Sequence, residues 1–133
     1  AAGGGDVRLN TPGHYLAPAL FTDVSPQAAV ARDEIFGPIA AVLRVPDYDA
    51  ALATANDCEF GLSAGIVTRD AAKIDHFSQN AEAGMIQVNL PTAGMDFHAP
   101  FTGRKGSSYG APEKGSYCRE FFTAAKVVHA GRG

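Results

Sequence analysis

Cysteine is scarce in this 133-residue chain: only Cys58 and Cys118 are present, 60 positions apart. That spacing gives neither a disulfide framework nor a C-x-x-C metal or redox pair, so a reduced, cytoplasmic protein is the simplest expectation. Basic residues are also in deficit, 11 Lys+Arg against 14 Asp+Glu, for a formal charge of −3. A mildly acidic chain lacks the footprint of a nucleic-acid or anionic-membrane binder, and neither partner is expected. No apolar run approaches the roughly 20 residues that cross a bilayer. The opening Ala1-Ala2-Gly3-Gly4-Gly5-Asp6 has neither the charged nor the apolar region of a signal peptide. Missing too are a G-x-G-x-x-G opening a helix, a Walker phosphate loop, a G-x-S-x-G elbow and an H-E-x-x-H pair. His14, His76, His98 and His129 are widely separated, and no metal site is expected.

What is present is apolar material. Hydrophobic residues make up 46% and charged residues 19%, enough to bury a core at this length and to exclude disorder as the default. Residues 14–21 form an apolar run interrupted by Pro18, which predicts an edge strand or extended segment because proline cannot donate to a ladder. Residues 39–45 are almost continuously apolar, as a strand covered on both faces requires. Tyr48, Ala51, Leu52 and Ala55 then recur on one face of a helix, with Asp47 as its N-cap. A third apolar run, 62–67, is followed by Asp70 as a cap and by Ala71, Ile74, Phe77, Ser78 and Ala81 on a second helix. Gly84 is expected to close that helix in a left-handed conformation. Residues 85–90 alternate, Ile86, Val88 and Leu90 on one face and Met85, Gln87 and Asn89 on the other.

The two crossovers are long enough for helical connections between parallel strands. The expectation is an α/β fold with a three-stranded parallel βαβαβ core, a long C-terminal loop, a short helix near 117–123 and a terminal strand. The loop, residues 91–116, holds five Gly and three Pro with Phe97, Phe101 and Tyr109 and no periodicity, which points to function or an interface.

Particular strings say more. Glu34-Ile35-Phe36-Gly37-Pro38, with Leu16-Ala17-Pro18-Ala19-Leu20-Phe21 upstream, resembles the aldehyde dehydrogenase superfamily. In order behind it come Ala55-Asn56, Phe60-Gly61-Leu62-Ser63-Ala64, Ala83-Gly84 with Val88-Asn89, and Pro100-Phe101-Thr102-Gly103-Arg104-Lys105-Gly106-Ser107. Within the family, Asn89-Leu90-Pro91-Thr92-Ala93-Gly94 and residues 103–110 most resemble the 2-oxoglutarate semialdehyde (2,5-dioxopentanoate) dehydrogenases. The resemblance spans nearly the whole chain but only the last quarter or so of the family.

The resemblance implies residues 1–125 as the C-terminal part of a catalytic domain and residues 126–133 as a terminal oligomerisation strand, hence a homo-oligomer. Such enzymes oxidise an aldehyde through a Cys thiolate, pass hydride to NAD or NADP and release the acid after a Glu activates water. The G-Q-x-C type string that carries the nucleophile is not in this sequence. Cys58 stands between Asp57 and Glu59, which oppose a thiolate, and Cys118 falls in the short helix, so no catalytic residue is assigned and the isolated chain is expected to be inactive. The alternative is a free-standing, non-catalytic oligomerisation module derived from such an enzyme.

The implied roles are positional. Glu34 and Phe36, two apart and expected on one side of a strand, would bind the nicotinamide ribose and pack beside the nicotinamide; a carboxylate supplies the acceptors that a ribose diol needs. Phe101 matches the aromatic where aldehyde and nicotinamide meet, although on residue type it serves equally as a loop anchor. His98 and Asn89 are candidates for substrate contact, His98 against the plainer reading of a surface hydrogen-bonder. Arg104 and Lys105 either attract a dicarboxylate-like substrate or form a solvated basic turn. Thr102 stands where the family usually has Gly, which matters only if the loop there needs a positive φ.

Overall fold

The computed structural model describes residues 1–133, which form two units, Ala1–Thr54 and Ala55–Gly133. The first contains β1 (Ala2–Gly3), β2 (Asp6–Val7), β3 (Tyr15–Leu16), β4 (Ala19–Phe21), the single-turn helix α1 (Ala29–Arg32) and β5 (Ile39–Ala41). Helix α2 (Tyr48–Asn56) follows. Strand β4 is central in a sheet ordered β1-β4-β5, antiparallel to β1 and parallel to β5, with Ala19 opposite Ile39 and Phe21 opposite Ala41. Pro18 stands immediately before β4, where its missing N–H costs no ladder bond and its carbonyl accepts from Gly4 N–H at 3.1 Å. Strands β2 and β3 make a separate antiparallel pair. Helix α2 is capped as its sequence predicts: Asp47 Oδ1 accepts from Ala50 N–H at 2.8 Å.

The second unit holds β6 (Phe60–Gly61), β7 (Ser63–Ile66), α3 (Ala71–Asn80), β8 (Met85–Val88), β9 (Arg104–Lys105), a 3-10 turn over Gly115–Tyr117 and α4 (Cys118–Phe122). β7, α3 and β8 form a βαβ unit whose strands run parallel, Ser63 opposite Met85 through Ile66 opposite Val88. Asp70 caps α3 by accepting from Ala72 N–H at 3.0 Å and Lys73 N–H at 3.3 Å. The long loop returns as β9, antiparallel to β6. The buried hydrophobics are Phe77, Ala81 and Met85, all from α3, its exit and the start of β8. Truncating a buried phenylalanine such as Phe77 to alanine costs about 3–5 kcal/mol. No helix is long and apolar enough to cross a membrane.

Several expectations are corrected. The three runs at 39–45, 62–67 and 85–90 do not make one three-stranded sheet: the last two pair with each other, and the first pairs with Ala19–Phe21. Crossover length dictates that the joined strands are parallel but not which become neighbours, and Phe21 O, accepting from Val42 N–H at 2.8 Å, already occupies the first run. Gly84 does not cap α3 in the left-handed region; the cap is Ala81 at φ −70°, ψ 130°, in extended conformation. Gly84 is required for another reason, since a Cβ there would lie 2.2 Å from Thr102 O. Asn89 and Leu90 lie beyond β8, because Asn89 turns out of the strand at φ +56°. Apart from these corrections, residues 126–130 carry no strand within the single chain, their expected partner being a second subunit, and Val127 and Val128 are exposed.

Candidate cofactor and substrate residues

Glu34 and Phe36 lie in the first unit, in the short connection from α1 to β5, and not in a strand as the sequence suggests. The connection is fixed at both ends. Asp33 N–H donates to Ala29 O at 2.8 Å, Ile39 N–H to Gly37 O at 2.8 Å, and Ala19 N–H to Pro38 O at 2.9 Å. Between these anchors Phe36 adopts φ +54°, a conformation that costs a bulky residue about 1–3 kcal/mol. The backbone reversal abolishes the alternation of a strand, so the shared side expected for Glu34 and Phe36 does not follow from period two. The turn instead leaves the Phe36 ring 94% exposed, and Glu34 is exposed as well. A strained backbone that presents an aromatic ring to solvent marks a ligand or partner surface more readily than a packing solution.

Asn89, His98 and Phe101 lie in the second unit. Asn89 follows β8, and its side chain is committed to the end of β7: Oδ1 accepts from Thr68 N–H at 2.9 Å and Nδ2 donates to Thr68 O at 3.0 Å. One N–H of the amide remains for other partners. Beyond it the loop borders a cavity of about 400 Å³ lined by Ile86, Gln87, Leu90, Pro91, Met95 and Asp96 among others. Gln87 Nε2 donates to Met95 Sδ across this space. His98 is exposed and held locally. Asp96 Oδ1 accepts from His98 N–H at 2.9 Å and lies 3.1 Å from Nδ1, while the imidazole leans on the Phe97 ring at 3.8 Å between centroids.

Phe101 is half-buried, and Lys114 Nζ sits 4.9 Å from its ring centroid. The adjacent Gly115, at φ +65°, presses the 114–115 backbone against 98–100; a Cβ there would fall 2.7 Å from His98 O. Thr102 has no positive φ, so the family's usual glycine is not needed at this turn.

Lys105 is structural, and Arg104 is exposed beside it. Lys105 Nζ pairs with Glu82 Oε2 at 2.6 Å and donates to Asn56 O at 2.5 Å and Cys58 O at 3.0 Å, closing the β6–β9 pair. Its ammonium holds the Glu82 carboxyl below the usual carboxylate range, first through the hydrogen bond and then through charge. Arg104 donates to Ala81 O at 3.5 Å. The cation beside Phe101 is therefore Lys114, which sequence reasoning missed: it lies thirteen positions away in an aperiodic loop, and neither spacing nor motif ties it to the ring.

A family model described as the aldehyde dehydrogenase family matches residues 1–128. The alpha-ketoglutarate semialdehyde dehydrogenase of Haloferax volcanii is 43% identical over 118 residues, covering 88% of this chain and 24% of the relative. The corresponding Bacillus subtilis enzyme is 40% identical over 116 residues, 87% of this chain and 24% of that one. Among solved structures, a variant of the P. syringae indole-3-acetaldehyde dehydrogenase in complex with NAD+ superposes with a TM-score of 0.87 at 32% identity, over 95% of this chain and 25% of that one. The chain thus spans about a quarter of the length of the curated relatives it matches. On the extent of these matches, the chain belongs to the aldehyde dehydrogenase family.

Proposed function

We propose that this chain is the C-terminal quarter of an NAD(P)+-dependent cytoplasmic enzyme that oxidises a semialdehyde, of the 2-oxoglutarate semialdehyde kind, to its carboxylic acid. The observation that carries the reading is the 43% identity to an alpha-ketoglutarate semialdehyde dehydrogenase over 88% of the chain. Residues 1–125 belong to the catalytic domain and residues 126–133 add a strand to a second subunit.

A nicotinamide, when bound, would supply the hydride acceptor, and this chain's residues would place it. Glu34 offers two anionic acceptor oxygens to the ribose diol, and the outward Phe36 ring gives the nicotinamide an apolar face. In the second unit, Phe101 offers an apolar face to the aldehyde, with Asn89 donating its remaining N–H and His98 lying on the same loop. The exposure of Phe36 supports this role, because a ring so presented gains most from covering a flat ligand. The nucleophilic thiol and the water-activating carboxylate belong to segments outside these 133 residues, so the chain positions and does not react.

The test is to express the whole coding sequence that contains this chain beside the 133-residue chain alone, and to supply 2-oxoglutarate semialdehyde with NAD+ or NADP+. Reduced nicotinamide is expected from the whole protein only. Turnover by the 133 residues overturns the division of labour, and silence from the whole protein leaves the oligomerisation module.

A further inference from the structure

We propose that Lys114 is a specificity-determining residue: its ammonium, held over the Phe101 ring, binds the carboxylate that distinguishes an acidic semialdehyde from a neutral aldehyde. The inference rests on the proposed reading of Phe101 as a wall of the aldehyde site and goes beyond it by naming the group that selects the substrate. Three cations stand between residues 100 and 115, namely Arg104, Lys105 and Lys114. Lys105 is committed to Glu82 and two carbonyls, and Arg104 reaches Ala81 O at 3.5 Å, away from the Phe101 ring that Lys114 covers. Lys114 makes no ion pair, not even with the adjacent Glu113, and its Nζ lies 4.9 Å from the Phe101 centroid.

An aromatic face attracts a cation through its quadrupole but presents no lone pair, so the ammonium N–H donors stay available to an anion. The side chain is half-buried, where water screens a charge less than at the open surface. The backbone next to it is held close to the Phe101 segment, because a Cβ at Gly115 would fall 2.7 Å from His98 O and 3.1 Å from Pro100 N. A carboxylate-bearing substrate that meets Phe101 thus finds a cation at the same wall, and a neutral aldehyde gains nothing from it.

The experiment compares the whole enzyme with its Lys114→Met and Lys114→Arg variants. Each is assayed on 2-oxoglutarate semialdehyde and on a neutral aldehyde of the same chain length. Removing a charge-assisted bond is expected to raise KM for the acidic substrate about 10- to 100-fold in Lys114→Met. Its kcat should stay within about two-fold, its KM for the neutral aldehyde should not move, and Lys114→Arg should restore the acidic preference. An unchanged acidic KM, or an equal rise for both substrates through displacement of the ring, overturns the assignment while leaving the aldehyde dehydrogenase reading intact. Wild-type enzyme that oxidises neither aldehyde overturns both.

Discussion

Asn89 grips the backbone of Thr68 from both sides, its amide oxygen accepting from Thr68 N–H at 2.9 Å and its amide nitrogen donating to Thr68 O at 3.0 Å. The grip depends on a left-handed backbone at φ +56°, which asparagine tolerates better than most residues. It locks the ends of β7 and β8 together where the long loop begins.

Two substitutions separate those contributions. Asn89→Gly keeps the left-handed turn and loses the amide bonds, at a cost of about 1–2 kcal/mol. Asn89→Ala loses the bonds and adds backbone strain of about 1 kcal/mol more. Urea unfolding of the whole protein checks the order, wild type above Gly above Ala. If Ala is no worse than Gly, the left-handed turn is not retained in solution.

The Glu82–Lys105 pair predicts an acid limb of stability. Because the folded-state pKa of Glu82 is depressed, its contribution is fully present above the ordinary glutamate value of about 4.3. It is lost as the pH falls through the lower, folded value. Thermal unfolding measured from pH 6 downward should show a steeper decline for wild type than for Glu82→Gln below about pH 4.3. Parallel curves would remove the pair from the explanation.

Gly84, just before β8, lies close against the loop that carries Phe101, and a Cβ there would lie 2.2 Å from Thr102 O and 2.7 Å from the Gly103 Cα. Both neighbours are backbone, so relief requires the loop to shift. Gly84→Ala is expected to cost about 1–3 kcal/mol or more, and to lower kcat of the whole enzyme by displacing Phe101. Wild-type melting and turnover in the variant would show that the loop yields freely.

Much of this was legible in the sequence, and the failures have a common cause. Capping by Asp47 and Asp70 was readable because a cap is a local contest between one carboxylate and the next few N–H groups. The helices around Tyr48 and Phe77 were readable from spacing, and the ordered strings carried the family. Sheet partners were not, because Ile39–Ala41 chooses between Ala19–Phe21 and any later strand by tertiary packing that no window of residues contains. Phe36 misled for a related reason: an aromatic at φ +54° breaks the period on which its direction was inferred. In sequence Lys105 reads as a substrate-attracting charge or a solvated basic turn, because its three partners, Glu82, Asn56 and Cys58, lie more than twenty positions upstream.

Glu34 and Phe36 should separate in a cofactor titration of the whole enzyme. On the proposed ribose-binding role, Glu34→Gln would remove charge-assisted bonds worth about 1.5–3 kcal/mol and is expected to raise the cofactor KM roughly 10- to 100-fold. Phe36→Ala removes an exposed apolar cover and leaves a residue with a Cβ in the same left-handed turn, so its folded stability should change little while its cofactor KM rises. A cofactor KM untouched by both removes this connection from the dinucleotide site.

The terminal residues supply the last test. Lys126, Val127 and Val128 lead away from α4 with no partner strand in the chain, and the two valines are 77% and 76% exposed. Adjacent β-branched residues with unpaired backbone groups form a ready edge for another chain, and exposing them costs about 25 cal/mol for each Å² of apolar surface left in water. Strand addition by a second subunit relieves both costs at once. Deleting residues 126–133 from the whole enzyme is therefore expected to lower its solution mass to a smaller assembly and to make activity fall on dilution where wild type holds steady. Val127→Lys with Val128→Lys should act in the same direction without shortening the chain, because two charges on one edge oppose pairing. An unchanged mass by light scattering for both variants assigns the subunit interface elsewhere and leaves the valines to an intramolecular partner outside these 133 residues.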